Sequence, residues 1–432
     1  MFQTLKNAWK TPEMKSKLLF TLLIIVLYRL GANIPVPYID QSAMQMVDLF
    51  SGGSIFGYLN ILSGEAFGKA TLFALGVSPY ITSSIVMQLL TIAIPALERL
   101  SKDGEEGRKK ITAITRYVTV GLALITSIGY ALYLRSAGLV GEVNAFDMIV
   151  LVACYCAGSS LVMWLAEKIN EHGIGNGISM ILFANIISSF PGMISSVISM
   201  VTTRTGSAGS LILGIVLAIL SVALTLAMIV IIVWMSDSER RIPVQYAKRV
   251  VGRKMYGGQG TNLPLKVNMT GVMPIIFASS IVSIPATIAS FFPNSGFWNS
   301  VIDVFNYDTW LYIIIEFILL VAFAYFYVAI SFNPVEVANN LKKQGGAVPG
   351  IRPGKPTSDY ITKVLNRITL VGALILSVIC ILPMCINIIA GGQFASLAFG
   401  GSSIIIVVGV ALETFREIEA QMSLRNYKGF LD

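Results

Sequence analysis

Runs of about twenty apolar residues recur along the chain between short polar breaks, each the length a helix needs to cross a hydrocarbon core of roughly 30 Å. The pattern predicts ten transmembrane helices, spans 1 to 10, near 18–36, 70–94, 111–134, 146–166, 177–200, 210–235, 270–292, 309–331, 367–389 and 394–415. Prolines interrupt the pattern at Pro79 in span 2, Pro191 in span 5, Pro274 and Pro285 in span 7 and Pro383 in span 9. Each frees a carbonyl and permits a kink, which a moving or pore-lining helix can use.

One apolar stretch breaks the rule. Between Pro37 and Lys69 lies Phe50-Ser51-Gly52-Gly53-Ser54-Ile55-Phe56-Gly57-Tyr58-Leu59-Asn60-Ile61-Leu62, too apolar for an ordinary loop and too short and glycine-broken to span. Backbone of that kind at membrane depth is tolerated only where protein or a water-filled cavity surrounds it, so the stretch is expected to be re-entrant and a cavity in the bundle is implied.

Charge orients the bundle, because basic residues of short loops stay on the cytoplasmic side. One side holds Lys6, Lys10, Lys15 and Lys17 before span 1, then Arg99, Lys102, Arg108, Lys109, Lys110 and Arg116 around the 2/3 loop, and Lys168. It also holds Arg240, Arg241, Lys248, Arg249, Arg253, Lys254 and Lys266 in the 6/7 loop, Lys342, Lys343, Arg352, Lys355, Lys363 and Arg367 in the 8/9 loop, and Arg416, Arg425 and Lys428 in the tail. The other side has only Lys69, Arg135 and Arg204. Both termini are therefore expected in the cytosol. The first segment shares the charged and apolar regions of a signal peptide, but Arg29 and the lack of an Ala-x-Ala-like site favour a retained helix.

Composition agrees: 55% of the 432 residues are hydrophobic and 12% charged, about half the charge of a soluble domain, so the solvent must be lipid. The net charge of +8 is then largely a signature of topology. Two cytosolic loops are nonetheless longer than topology requires, near 236–269 and 331–367, and are rich in basic residues among Gly, Pro and Gln. They are candidate docking surfaces for an acidic or RNA-bearing partner, or plain solvated loops.

The chemistry expected of an enzyme is scarce. Cys154, Cys156, Cys380 and Cys385 lie in apolar runs at spacings that point the thiols of each pair apart, and His172 is the single histidine, so no metal, haem or iron-sulfur site and no cofactor is expected. No nucleophile with an adjacent base can be assembled. Gly64-Glu65-Ala66-Phe67-Gly68-Lys69 imitates a phosphate-binding loop but has one residue too few between its glycines and Ala70 where Ser or Thr should stand. Gly173-Ile174-Gly175-Asn176-Gly177, opening span 5, could present amides to an anion, although packing flexibility is the preferred reading. Only Arg29 and Glu316 lie well inside a span, which argues against an ion-coupled small-solute secondary transporter without removing it, since such proteins usually gather polar groups near the midplane.

Five stretches carry a resemblance. They are Phe73-Ala74-Leu75-Gly76-Val77-Ser78-Pro79-Tyr80-Ile81 in span 2, Gly173-Ile174-Gly175-Asn176-Gly177-Ile178-Ser179 entering span 5, Glu239-Arg240-Arg241-Ile242-Pro243-Val244-Gln245-Tyr246 and Asn262-Leu263-Pro264-Leu265-Lys266-Val267-Asn268 in the 6/7 loop, and Pro349-Gly350-Ile351-Arg352-Pro353-Gly354 in the 8/9 loop. In this order, over essentially the whole chain, the sequence resembles the SecY family, pore subunits of the bacterial Sec translocon.

The resemblance implies an all-α polytopic membrane protein of two pseudo-symmetric five-helix halves, residues 1–200 and 201–432, around a central pore in the plasma membrane, with a short re-entrant plug helix in the 50–64 region. It implies a pore ring of Val77, Ile81, Ile178, Leu182, Ile276 and Ile406; apolar residues in such spans are otherwise ordinary packing or lipid contacts. A ring of Val, Ile and Leu offers no fixed hydrogen bonds, so it suits a polypeptide of any sequence and stays dry when shut. Spans 2 and 3 against 7 and 8 would form a lateral gate, with Gln88 and Ser280 as polar contacts across it. The implied partners are SecE and SecG, the SecA ATPase, the ribosome, a preprotein or signal peptide as substrate, and membrane lipid. SecA and the ribosome would dock through Arg240, Arg241, Lys248, Arg249, Arg352 and Lys355.

Overall fold

Every predicted span contains a helix, and the departures from the predicted limits have local causes. The computed structural model describes residues 6, 8–39, 55–140, 144–202, 208–246, 249–251, 254–256, 260–289, 296–305, 309–389 and 400–428. Span 1 is α1 (Pro12–Gly31), and the re-entrant stretch forms a short helix α2 (Ile55–Leu62). Phe50, Ser51, Gly52, Gly53 and Ser54 of that stretch, with Lys248 of the 6/7 loop, lie outside the described residues.

Span 2 begins later than its apolar pattern suggests. Residues 63–77 run in turns, with Glu65, Ala70 and Gly76 at positive φ, and the helix is α3 (Ser78–Ala93). Pro79 therefore sits in the first turn, where a missing N–H costs nothing, and does not interrupt the span as expected. Pro274, second residue of α9, stands likewise at a helix start. Pro191, Pro285 and Pro383 do lie inside their helices. At Ile94 the chain bends by 100° into a short basic helix, α4 (Pro95–Lys102).

The remaining helices are α5 (Gly104–Ser136), α6 (Ala145–His172), α7 (Gly177–Thr202), α8 (Ala208–Asp237), α9 (Met273–Ala289), α10 (Gly296–Val304), α11 (Trp310–Ser331), α12 (Pro334–Lys343), α13 (Lys355–Ile389) and α14 (Gly400–Lys428). By length and apolar composition alone, six described helices qualify to cross a bilayer, or seven if α3 and α4 are one bent span. Others carry charge into the span, as α1 does with Lys15, Lys17 and Arg29, or are short, as is α9. Large apolar side chains such as Leu22, Leu23 and Leu27 of α1 and Ile219, Val230 and Trp234 of α8 face outward, an exterior suited to lipid or to an apolar partner helix.

The turn segment 63–77 hangs inside the bundle on α5 and α6. Tyr130 donates to the Phe67 carbonyl at 2.5 Å and Tyr155 to the Ala70 carbonyl at 3.4 Å, satisfying backbone groups that have no ladder or helix partner. Gly158 has no side chain because the Leu72 carbonyl occupies the space a Cβ would need.

The two long loops expected on the cytosolic side are not merely loops. The 6/7 loop supplies β1 (Glu239–Tyr246), β2 (Arg249–Val251), β3 (Lys254–Tyr256) and β4 (Gly260–Lys266), and the 8/9 loop supplies β5 (Gly346–Ala347). β1 is the middle strand of the order β4-β1-β5, antiparallel to β4 from Glu239↔Lys266 to Gln245↔Gly260 and to β5 at Gln245↔Ala347. Alternation along β1 buries Ile242 and Val244, which pack with Leu265, Leu341, Val348 and Ile361 into a small core shared by both loops.

Candidate functional site

The ring residues come together from four helices. Ile81 of α3, Leu182 of α7, Ile276 of α9 and Ile406 of α14 are all buried and line one small cavity. Leu59 and Leu62 of α2 line it too. Its volume is about 20 Å³, the room one water needs. Val77 caps the start of α3, its carbonyl accepting from Ile81 N at 3.0 Å, and packs in the same core without lining the cavity. Ile178 is only partly buried against that core. Sequence reading missed Thr82, Ser78 and Ser283, which add hydroxyls to the lining; in an apolar run nothing distinguishes their direction.

Beside the constriction, a larger hollow of about 400 Å³ opens between α3, α5 and α9. Leu75, Pro79, Val86, Leu122, Ile125, Ile284 and Ile288 make it apolar, and Leu59, Ser78, Thr82 and Ser283 are shared with the ring cavity. Of the two expected gate contacts, Ser280 lines the ring cavity and donates to the Ile276 carbonyl of its own helix at 2.6 Å. Gln88 lies nearly two turns from Ile81 on α3 and lines neither space.

α2 is anchored at its C-terminal end. Asn185 of α7 donates through Nδ2 to the Leu62 carbonyl at 2.7 Å and to the Tyr28 hydroxyl at 2.9 Å. Arg29 of α1 donates to the Gly64 carbonyl at 3.3 Å. Arg29, expected well inside span 1, stands instead in the last turn of α1, because the helix ends at Gly31, and there it serves backbone just past the end of α2.

The glycine-rich start of span 5 spends its amides internally. Gly177 N donates to Asn170 Oδ1 at 2.7 Å, Ile178 N to Asn176 Oδ1 at 3.1 Å and Ile174 N to Thr21 Oγ1 at 3.1 Å. Gly175 has φ +83° and Gly177 lies against the Ala166 carbonyl, so backbone conformation and close packing account for these two glycines.

On the basic face, Arg240, Arg241, Arg352 and Lys355 are exposed, and Arg249 falls in β2. Arg241 pairs with Glu239 at 2.7 Å, whereas among the described residues Arg240 and Arg352 form no ion pair. Arg352 sits on a braced tip: Ile351 N donates to the Val348 carbonyl at 3.0 Å, Thr357 Oγ1 to the Arg352 carbonyl at 2.8 Å, and Gly350 and Gly354 take positive φ. Elsewhere on this face, hydrogen bonds from Lys102 and Lys168 hold Glu98 and Glu171 below the usual carboxylate range. Among the described residues no group of three or more His, Cys, Asp or Glu could hold a metal ion.

A family model described as SecY matches residues 71–415, a range containing all five motif stretches. The chain belongs to the SecY family. It is 45% identical over 445 residues to the protein translocase subunit SecY of Streptomyces galbus, with 100% of both chains covered. Its fold is that of a solved structure described as "The structure of a protein conducting channel", at TM-score 0.64 and 18% identity, covering 94% of this chain and 92% of that one. It is also similar to Sec61 in the canine ribosome-channel complex from the endoplasmic reticulum, at TM-score 0.60 and 17% identity over 94% and 92%. The mostly helical, multi-pass membrane architecture expected of SecY members is therefore present, with the β-strands of the 6/7 and 8/9 loops as the departure from an all-α fold.

Proposed function

We infer that the chain is the pore-forming subunit of a Sec protein translocation channel, passing unfolded preproteins across the membrane and releasing transmembrane segments sideways into lipid. The observation that carries this reading is the constriction: aliphatic side chains from α3, α7, α9 and α14 meet around about 20 Å³, closed by Leu59 and Leu62 of a helix that spans nothing. The aliphatic side chains offer no donors, and the lining hydroxyls of Thr82, Ser280 and Ser283 donate to carbonyls of their own helices. The ring thus has little with which to select a solute, and its shut state excludes ions by staying dry. A small-solute transporter would need convergent polar groups there, and SecY membership favours the channel over that alternative.

In this reading Val77, Ile81, Ile178, Leu182, Ile276 and Ile406 are the ring, the 50–62 stretch is the plug, and residues 1–200 and 201–432 are the two halves that part. The hollow between α3, α5 and α9 is where an apolar signal segment first meets lipid, with Ser280 rather than Gln88 nearest the seam. The chain is not itself an enzyme; the SecA ATPase or a translating ribosome supplies the work, docking on the β1-β4-β5 cap through Arg240, Arg241, Lys248, Arg249, Arg352 and Lys355. Sec61, a structural neighbour, is described in a ribosome-channel complex. SecE and SecG complete the assembly in the bacterial plasma membrane, with both termini cytosolic. The test is ATP-dependent uptake of a radiolabelled preprotein into vesicles holding this chain, SecE and SecA. Uptake supports the channel; solute uptake driven by an ion gradient, without preprotein transport, would overturn it.

A further inference from the structure

We propose that Asn185 is the positioning residue of a polar latch, formed with Tyr28 and Arg29, that seats the C-terminal end of α2 and so holds the constriction shut. The proposal rests on the plug reading above.

α2 is only eight residues long, and the last carbonyls of any helix lack partners within it. At membrane depth each unpartnered carbonyl is costly. The chain meets part of the demand itself, Ser63 N donating to Leu59 O at 2.9 Å and Gly64 N to Ile61 O at 3.0 Å. Leu62 O and Gly64 O are served from other helices: Asn185 Nδ2 reaches the first at 2.7 Å and Arg29 Nη1 the second at 3.3 Å. The cation also stands where the partial negative charge of the helix end is greatest. Asn185 is 0% exposed, and its Nδ2 also reaches the Tyr28 hydroxyl, itself buried, at 2.9 Å.

Gly64 completes the device. Its φ of +66° is left-handed, and a Cβ there would collide with Arg29 Nη1 and come within 2.9 Å of Asn185 Oδ1 and 3.0 Å of Ser188 Oγ. The latch is thus built around a position that admits no side chain. Leu59 and Leu62, one turn apart at the latched end, are the α2 residues that close the ring cavity, so freeing this end unseats both.

The test uses the assembled complex with SecE and SecG in planar bilayers. Asn185→Leu keeps the approximate volume and removes the donor; resting conductance should rise about tenfold, the factor that about 1.4 kcal/mol of lost hydrogen bonding produces. Gly64→Ala should act in the same direction by an independent route, and is read in the same way if Asn185→Leu does not assemble. Deletion of 50–62 tests the plug reading alone: if conductance is unchanged by the deletion, that reading fails. In the deleted background Asn185→Leu should add less than about twofold, since the latch has nothing left to hold. The latch is overturned if the deletion raises conductance while Asn185→Leu and Gly64→Ala leave it at the wild-type level, or if Asn185→Leu raises it further without the plug.

Discussion

Replacing Ile276 by Asn places an amide in the constriction, and its consequence can be worked from the packing around the site. Ile276 is 5% exposed and faces Ile81, Leu182, Ile406, Leu59 and Leu62, so the shut state gives up most of an isoleucine's burial, worth about 1.5–3 kcal/mol. The new amide finds only the hydroxyls of Ser78, Thr82, Ser280 and Ser283 along the lining, and those of Thr82, Ser280 and Ser283 are already bonded to their own helices. An amide left partly unsatisfied costs about 1–3 kcal/mol more in the shut state and nothing once water enters. Taking about 2.7 kcal/mol, near the low end of the two contributions together, the open fraction rises roughly 100-fold. The assay pairs resting ion conductance in bilayers with transport of preproteins bearing defective signal sequences, because a signal that needs to supply less opening energy can be a poorer one. Ile314→Asn on α11, a position 53% exposed on the outer face, is the matched control and should change neither. If a stably assembled Ile276→Asn channel keeps wild-type conductance and stringency, Ile276 is an ordinary packing residue.

Three further outcomes are expected. A cysteine at Gln344, an exposed residue closing α12, should react with impermeant maleimide only from the cytosolic side in a variant lacking the four native cysteines; labelling from outside intact cells would invert the charge-derived map. Arg352→Glu should abolish SecA-driven transport while SecE pairing and thermal stability stay unchanged, because the tip is braced by backbone and Thr357 rather than by the guanidinium; transport at the wild-type rate would remove the docking role. Gly158→Ala should lower the melting midpoint by several degrees, since a Cβ there meets the Leu72 carbonyl and overpacking typically costs about 1–3 kcal/mol; an unchanged midpoint would mean the 63–77 segment yields freely.

The spans were legible in the sequence because bilayer thickness sets the length of an apolar run. Hydropathy could not see where α3 begins: residues 70–77 are as apolar as the helix, and the break is made by positive φ at Ala70 and Gly76 together with partners on α5 and α6. The strand cap formed by the 6/7 and 8/9 loops was hidden for the opposite reason. Pro243 and Pro264 read as loop, yet Pro264 pairs with Arg241 in an edge strand, and β5 lies about a hundred residues from its neighbour β1 in the chain. The ring came from the family resemblance, since in a lipid-embedded run every isoleucine looks alike. Asn185 is visible as a polar interruption of span 5, but its meaning depends on the Leu62 carbonyl, 123 residues earlier.

The central claim is that a translocating polypeptide passes through the ring, and site-specific photocrosslinking tests it most directly. A photoreactive side chain at Leu182, buried at the cavity, is compared with one at Ile314 on the outer face while a preprotein is arrested halfway through the reconstituted channel. The account predicts an adduct to the preprotein at Leu182 that appears only with the arrested chain, and lipid but no preprotein adduct at Ile314. A preprotein that crosslinks at Ile314 and never at Leu182 would contradict it.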